Sequence, residues 1–105
     1  MNIEKAIYVC HQFGGKPENV ENVKNLVIKL RKEYPNYNFI SPLHSLGYLW
    51  GECSWEVGMD YCIDLLSRCD EMWTFGSKSM SKGCMIEKDY CKAHNKTHLE
   101  KGEIA

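Results

Sequence analysis

Residues 76–90, GSKSMSKGCMIEKDY, place an acid where packing residues are expected. A Gly/Ser loop opens into a helix. On that helix Gly83, Ile86, Glu87, Tyr90 and Ala93 or His94 share one face by the i, i+3, i+4, i+7 rule. Apart from Glu87, the face is built for packing. A carboxylate stripped of water favours its neutral form, so its pKa rises unless partners compensate. Such a poised carboxylate suits general acid/base or nucleophilic work. The competing reading is a glutamate that snorkels to solvent or pairs with Lys82 or Lys88.

Other residues offer chemistry at less specific spacing. Glu56, Asp60 and Asp64 form an i, i+4, i+8 column, which is either a solvated face or a source of one acid, Asp60 or Asp64, that holds ribose hydroxyls. The loop HQFGGK, residues 11–16, contains Gly14 and Gly15, which let backbone approach a ligand closely. A helix N-terminus follows it and favours an anion, but the run is neither GxGxxG nor a Walker sequence. The plain alternative is a turn that needs positive φ. His11 and His44 are candidate loop contacts, or simply exposed. Trp50, Trp55, Tyr48 and Phe13 either stack on a base or cap the core.

These residues need elements to position them. KAIYVC (5–10), YNFIS (37–41) and EMWTF (71–75) read as strands. Helices are expected from Asn19 to about Tyr34, from about Ser54 or Trp55 to Arg68, and from about Ser81 to His94. Asn19 is the expected cap of the first, and Pro35 its stop. Gly58, Tyr61, Cys62, Leu65 and Cys69 make the expected apolar stripe of the second. A fourth short strand is expected around Thr97–Leu99, unless the tail frays. Strand–helix alternation implies an α/β fold with a mostly parallel sheet covered on both faces. Right-handed crossovers bring loops 11–19, 42–54 and 76–82 to one sheet edge, where ligands bind in open α/β sheets.

The chain has 105 residues, enough for one domain. Its net charge of −1 gives no basic excess, so nucleic acid is not an expected partner. No apolar run reaches the roughly 18 residues of a membrane span, and MNIEKAIYVC is too short and acidic for a signal peptide. The expected location is the cytoplasm. Six cysteines with no CxxC pair read as reduced, mostly buried thiols and not as a disulfide framework or a metal site. No cofactor is expected. The aromatic loop residues Tyr48, Trp50 and Trp55 are too many for one small crevice, which predicts a homodimer or larger homo-oligomer.

The runs YVCHQFGGKPENVENV, ISPLH, LLSRCDEMWTFG and SKGCMIE occur in an order and spacing that together cover most of residues 6–94. In this the chain resembles the nucleoside 2-deoxyribosyltransferase-like superfamily, which includes small nucleotide N-glycoside hydrolases and many phage and bacterial proteins. The resemblance implies a three-layer sandwich with a flavodoxin-like sheet of about four strands in the order 2-1-3-4. It implies that Glu87, following Gly83, attacks the anomeric carbon of a sugar. It implies that His11, Gly14 and Gly15 contact sugar or phosphate, and that Asp60 or Asp64 contacts the sugar. Ser81-Lys82-Gly83 stands where the transferases often carry Asp-Ser-Gly or a similar triplet; Lys82 is a departure that favours a phosphate or alters the acid's pKa. The tail is shorter than in the transferases, where it often completes a neighbouring subunit's site. Two functions follow: cleavage or exchange of the N-glycosidic bond of a nucleoside or nucleotide, or non-catalytic sequestration of a nucleotide-derived signal, as in a phage anti-defence sponge.

Overall fold

A computed structural model describes residues 2–12, 16–76 and 81–102. Strand β1 (Lys5–Cys10) lies in the middle of the sheet. Its period-two alternation sends Ile7 and Val9 to one core and Tyr8 and Cys10 to the other. All four are buried, as an internal strand of a parallel sheet requires. Strands β2 (Tyr37–Ile40) and β3 (Glu71–Thr74) pair with β1 in parallel, and β4 (Thr97–Glu100) pairs with β3. The order is β2-β1-β3-β4, as expected.

Helix α1 (Pro17–Glu33) covers one face, burying Val23, Leu26 and Leu30 against Ile7, Val9, Phe39 and Trp73. It starts two residues before the expected Asn19, because Pro17 presets helical φ and its missing N–H costs nothing in a first turn. Asn19 is buried within that turn. Helices α3 (Trp55–Ser67) and α4 (Lys82–Ala93) cover the other face, around Tyr8, Cys10 and Met72. Between β2 and α3 lie the short helix α2 (Pro42–Ser45) and a 3-10 turn, Gly47–Leu49. The result is three layers, helix–sheet–helix.

The expected face of α4 is rotated, while the expected α3 stripe turns inward at Gly58, Cys62, Leu65 and Cys69 but not at Tyr61. On α4 the buried stripe is Cys84, Glu87 and Cys91, while Ile86, Ala93 and His94 are exposed. On α3 Leu66 is fully buried and Tyr61 is exposed. The sheet sets the helix phase, and small thiols fit the close approach where a branched Ile would not. All six cysteines are free; four are buried and two half-buried. No helix among the described residues is long and apolar enough to cross a membrane.

Because the chain leaves β1 through α1 on one face toward β2, and β3 through α4 on the other face toward β4, the two strands are left in opposite directions. Their C-terminal ends therefore border a crevice. Residues at those ends, and at the start of α4, are the ones the fold can aim at a ligand.

Candidate active site

Glu87 sits one turn into α4 with only 6% of its surface exposed. Its helix is anchored by Ser81, whose hydroxyl oxygen accepts from the Cys84 N–H at 3.2 Å. Gly83 lets α4 approach α3 closely: a Cβ there would stand 3.3 Å from the Met59 sulfur. The glutamate is thus turned toward β1. There the Tyr8 hydroxyl donates to Oε2, and the Cys10 thiol lies 3.5 Å from Oε1 as a second donor.

The carboxylate forms part of the floor of a cavity of about 180 Å³. Tyr8, Cys62 and Cys84 complete that floor. Leu43, Leu46, Leu49 and Trp50 of the β2–α3 connection wall one side. Trp55, Gly58 and Met59 of α3 wall another, and His11, Gln12, Ser81 and Gly83 close the mouth. The surroundings are mainly apolar and aromatic, which is usual for a small-molecule site.

Burial pushes the Glu87 carboxyl up to about 7, and the hydrogen bonds from Tyr8 and Cys10 hold it back from rising further. No described cation neutralises it: Lys88 pairs with Glu100 at 3.0 Å, and Lys82 lies 4.7 Å over the Trp55 ring. The expected alternative, a pair with either lysine, does not form. Burial, and next the adjacent carboxylate, raise the Tyr8 hydroxyl far above its ordinary range, so it remains a donor. The Cys10 thiol is also raised, first by its hydrogen bond with Cys84 and then by burial. That same bond pushes the Cys84 thiol down. Burial lifts Cys62 to about 11.

Cys10, Cys84 and Glu87 bring their ligand atoms within 4.8 Å of one another, close enough for a soft metal ion among the described residues. Three donors fall one short of the closed four-ligand structural zinc set, and both Glu87 oxygens already accept hydrogen bonds. The trio therefore reads as a carboxylate that accepts from Cys10, with the Cys84 sulfur beside them.

The other expected site residues divide. His11 lines the cavity, and its Nδ1–H donates to the Gln12 carbonyl at 2.7 Å, which leaves Nε2 with the lone pair in the neutral ring. Ser81 and Gly83 also line it. Lys82 is exposed at the rim, held over Trp55. His44 is exposed, bonds Ser41 Oγ at 2.8 Å, and lies outside the lining. Asp60 and Asp64 are both exposed and outside the lining, and Asp64 pairs with Arg68 at 3.1 Å. Gly58, Met59 and Cys62 form the cavity-facing edge of α3, which turns the acid column toward solvent. Gly14, Gly15 and Phe13 lie outside the described residues. Trp50 and Trp55 line the cavity, whereas Tyr48 does not and is 70% exposed.

Sequence reasoning missed Tyr8, Cys10 and Cys84 as partners of the acid. A signal was present. Tyr8 and Cys10 share one strand face by alternation, and Cys84 stands one helical turn before Glu87. No family model and no curated protein matches this chain.

Proposed function

We propose that the cavity binds a nucleoside or nucleotide and that Glu87 cleaves or exchanges its N-glycosidic bond as a nucleophile. The observation that carries this reading is a buried carboxylate that, among the described residues, is held by neutral donors at the floor of an aromatic-walled cavity. Support also comes from the resemblance of the SKGCMIE segment and the strand-one loop to the nucleoside 2-deoxyribosyltransferase-like superfamily.

In the first step a Glu87 oxygen bonds to the anomeric carbon as the carbon–nitrogen bond breaks. The base leaves with the bonding electron pair and takes the Nε2 proton of His11, which enters this step as the imidazolium and leaves it as the neutral imidazole at the cavity. In the second step water, or the nitrogen of another base, attacks the same carbon and expels the Glu87 carboxylate. The attacker's proton returns to the imidazole. Two inversions give net retention. Tyr8 orients the carboxylate for attack, and Trp50 and Trp55 offer faces on which a base can stack.

Among the described residues the lining carries Glu87 as its one carboxylate, since Asp60 and Asp64 stand outside. That observation favours a second reading, in which the same cavity holds a nucleotide-derived signal without turning it over. Incubation with a panel of nucleosides and nucleotides separates the two, with free base read by mass spectrometry and binding by thermal shift. The enzyme reading requires base release by the wild type and none by Glu87→Gln, with binding retained. Equal release by both proteins would eliminate Glu87 as the nucleophile. Thermal shift with no release from any substrate would favour the binder.

A further inference from the structure

We propose that Cys84 and Cys10 form a peroxide-responsive thiol pair, whose disulfide alters the floor of the Glu87 cavity. The two sulfurs come from different elements and lie within 4.8 Å of each other. Cys84 is in the first turn of α4, near the positive end of the helix, with its backbone N–H tied to Ser81. It lines the cavity, so an oxidant as small as hydrogen peroxide can reach it. Cys10 is the last residue of β1.

The remaining cysteines are less suited. Cys69 and Cys91 do not line the cavity, and burial raises their thiols. Cys62 lines it, but burial raises its thiol to about 11. Cys53 donates to the Leu49 carbonyl at 3.8 Å and lies outside the lining. Cys84 alone among the shifted thiols moves toward the thiolate, the form that attacks peroxide.

The chemistry balances with hydrogen peroxide as the oxidant. The Cys84 thiolate attacks one peroxide oxygen; the sulfur–oxygen bond forms, the oxygen–oxygen bond breaks, and hydroxide leaves. The product is a sulfenic acid. The Cys10 sulfur then attacks the Cys84 sulfur. The disulfide forms, and the sulfenic oxygen departs as water with the Cys10 proton. Two thiols supply the two electrons that reduce the peroxide. Oxidation removes the Cys10 S–H that faces Glu87 Oε1, leaving Tyr8 as the carboxylate's donor. The expected loss of turnover rests on the nucleophile reading above; the bridge itself does not.

The test treats the reduced protein with hydrogen peroxide, blocks remaining thiols with N-ethylmaleimide in denaturant, and maps peptides by mass spectrometry. The expected product is a Cys10–Cys84 linked peptide that dithiothreitol splits, with the other four cysteines alkylated. Cys10→Ser, or Cys10→Ala should the first not fold, is expected to strand Cys84 as a sulfenic acid that dimedone traps. Oxidation of Cys53 or Cys62 while Cys84 remains alkylatable would overturn the proposal. So would dimedone labelling elsewhere in the variant. A missing bridge with intact base release overturns the thiol pair alone. A bridge formed in a protein that never releases base overturns the nucleophile alone.

Discussion

Glu87→Gln tests the cost of keeping an acid on the packed face of α4. The carboxyl is pushed from 4.5 up to about 7, chiefly by burial. The folded state therefore holds this proton more tightly than the unfolded chain. Below about pH 4.5 both states carry it, and the contribution to stability is fully present. As pH rises the unfolded chain ionises first, and stability falls until the folded acid has also lost its proton. A shift of this size corresponds to about 3 kcal/mol. Glutamine stays neutral throughout and can still accept from Tyr8. The stability of the variant minus that of the wild type should thus climb by about 2–3 kcal/mol between about pH 4.5 and about pH 8. Urea denaturation under reducing conditions, followed by circular dichroism at several pH values, measures that difference. His98, whose imidazole burial holds below its usual value, stabilises the fold as pH rises. Glu71, held low by Lys5 and Trp73, acts below the carboxylate range. Both are common to the two proteins and cancel. A difference that is flat with pH, or that declines, would refute the reasoning, because Glu87 would then have a cation or water that keeps it ionised.

Four further outcomes can be measured. The kcat/KM for base release should rise with pH through an apparent pKa of about 7 as Glu87 ionises; a profile flat across neutrality would contradict this assignment. Tyr8→Phe removes a donor to a charged acceptor, so denaturant titrations should show a loss of about 1–3 kcal/mol at alkaline pH and much less where Glu87 is protonated; equal losses at both would mean the hydroxyl does not bond the anion. Asp60→Asn and Asp64→Asn should leave base release unchanged, and Asp64→Asn should shift stability by less than about 0.5 kcal/mol, since its pair with Arg68 is exposed; a collapse in turnover would place that acid at the substrate. Tyr48, Trp50 and Tyr61 remain 70%, 57% and 51% exposed, so light scattering at micromolar concentration is expected to report a dimer or larger, and a monomer mass would end that expectation.

The sheet could be read in advance because its signals are local and mutually consistent. KAIYVC is apolar on both faces, Pro and Gly punctuate the joins, and strand–helix alternation with right-handed crossovers leaves few topologies. Glu87 was legible for a similar reason: it is an acid on a face otherwise suited to packing. Its partners were not legible. Tyr8 and Glu87 are 79 residues apart, and only the β1–α4 packing joins them. The i, i+3, i+4, i+7 spacing puts Ile86 on the inward face with Gly83 and Tyr90, yet helix phase depends on what the sheet can accommodate. The Asp60–Asp64 column illustrates the same limit. A regular acid stripe shows that a helix has a polar side, but neighbouring elements decide whether that side meets a ligand or the solvent.

The cavity's floor and its side wall have different origins, and this separates two properties that could have been linked. Tyr8, Cys84 and Glu87 belong to a central strand and the helix packed on it, so changes there disturb the core. Leu46, Leu49 and Trp50 belong to a connection between elements, where replacement costs the fold little. Selection can therefore exchange the connection to admit a different guest while leaving the acid's ionisation alone. A set of chimaeras that swap only residues 46–50 would be expected to diverge in ligand preference and to share one pH profile.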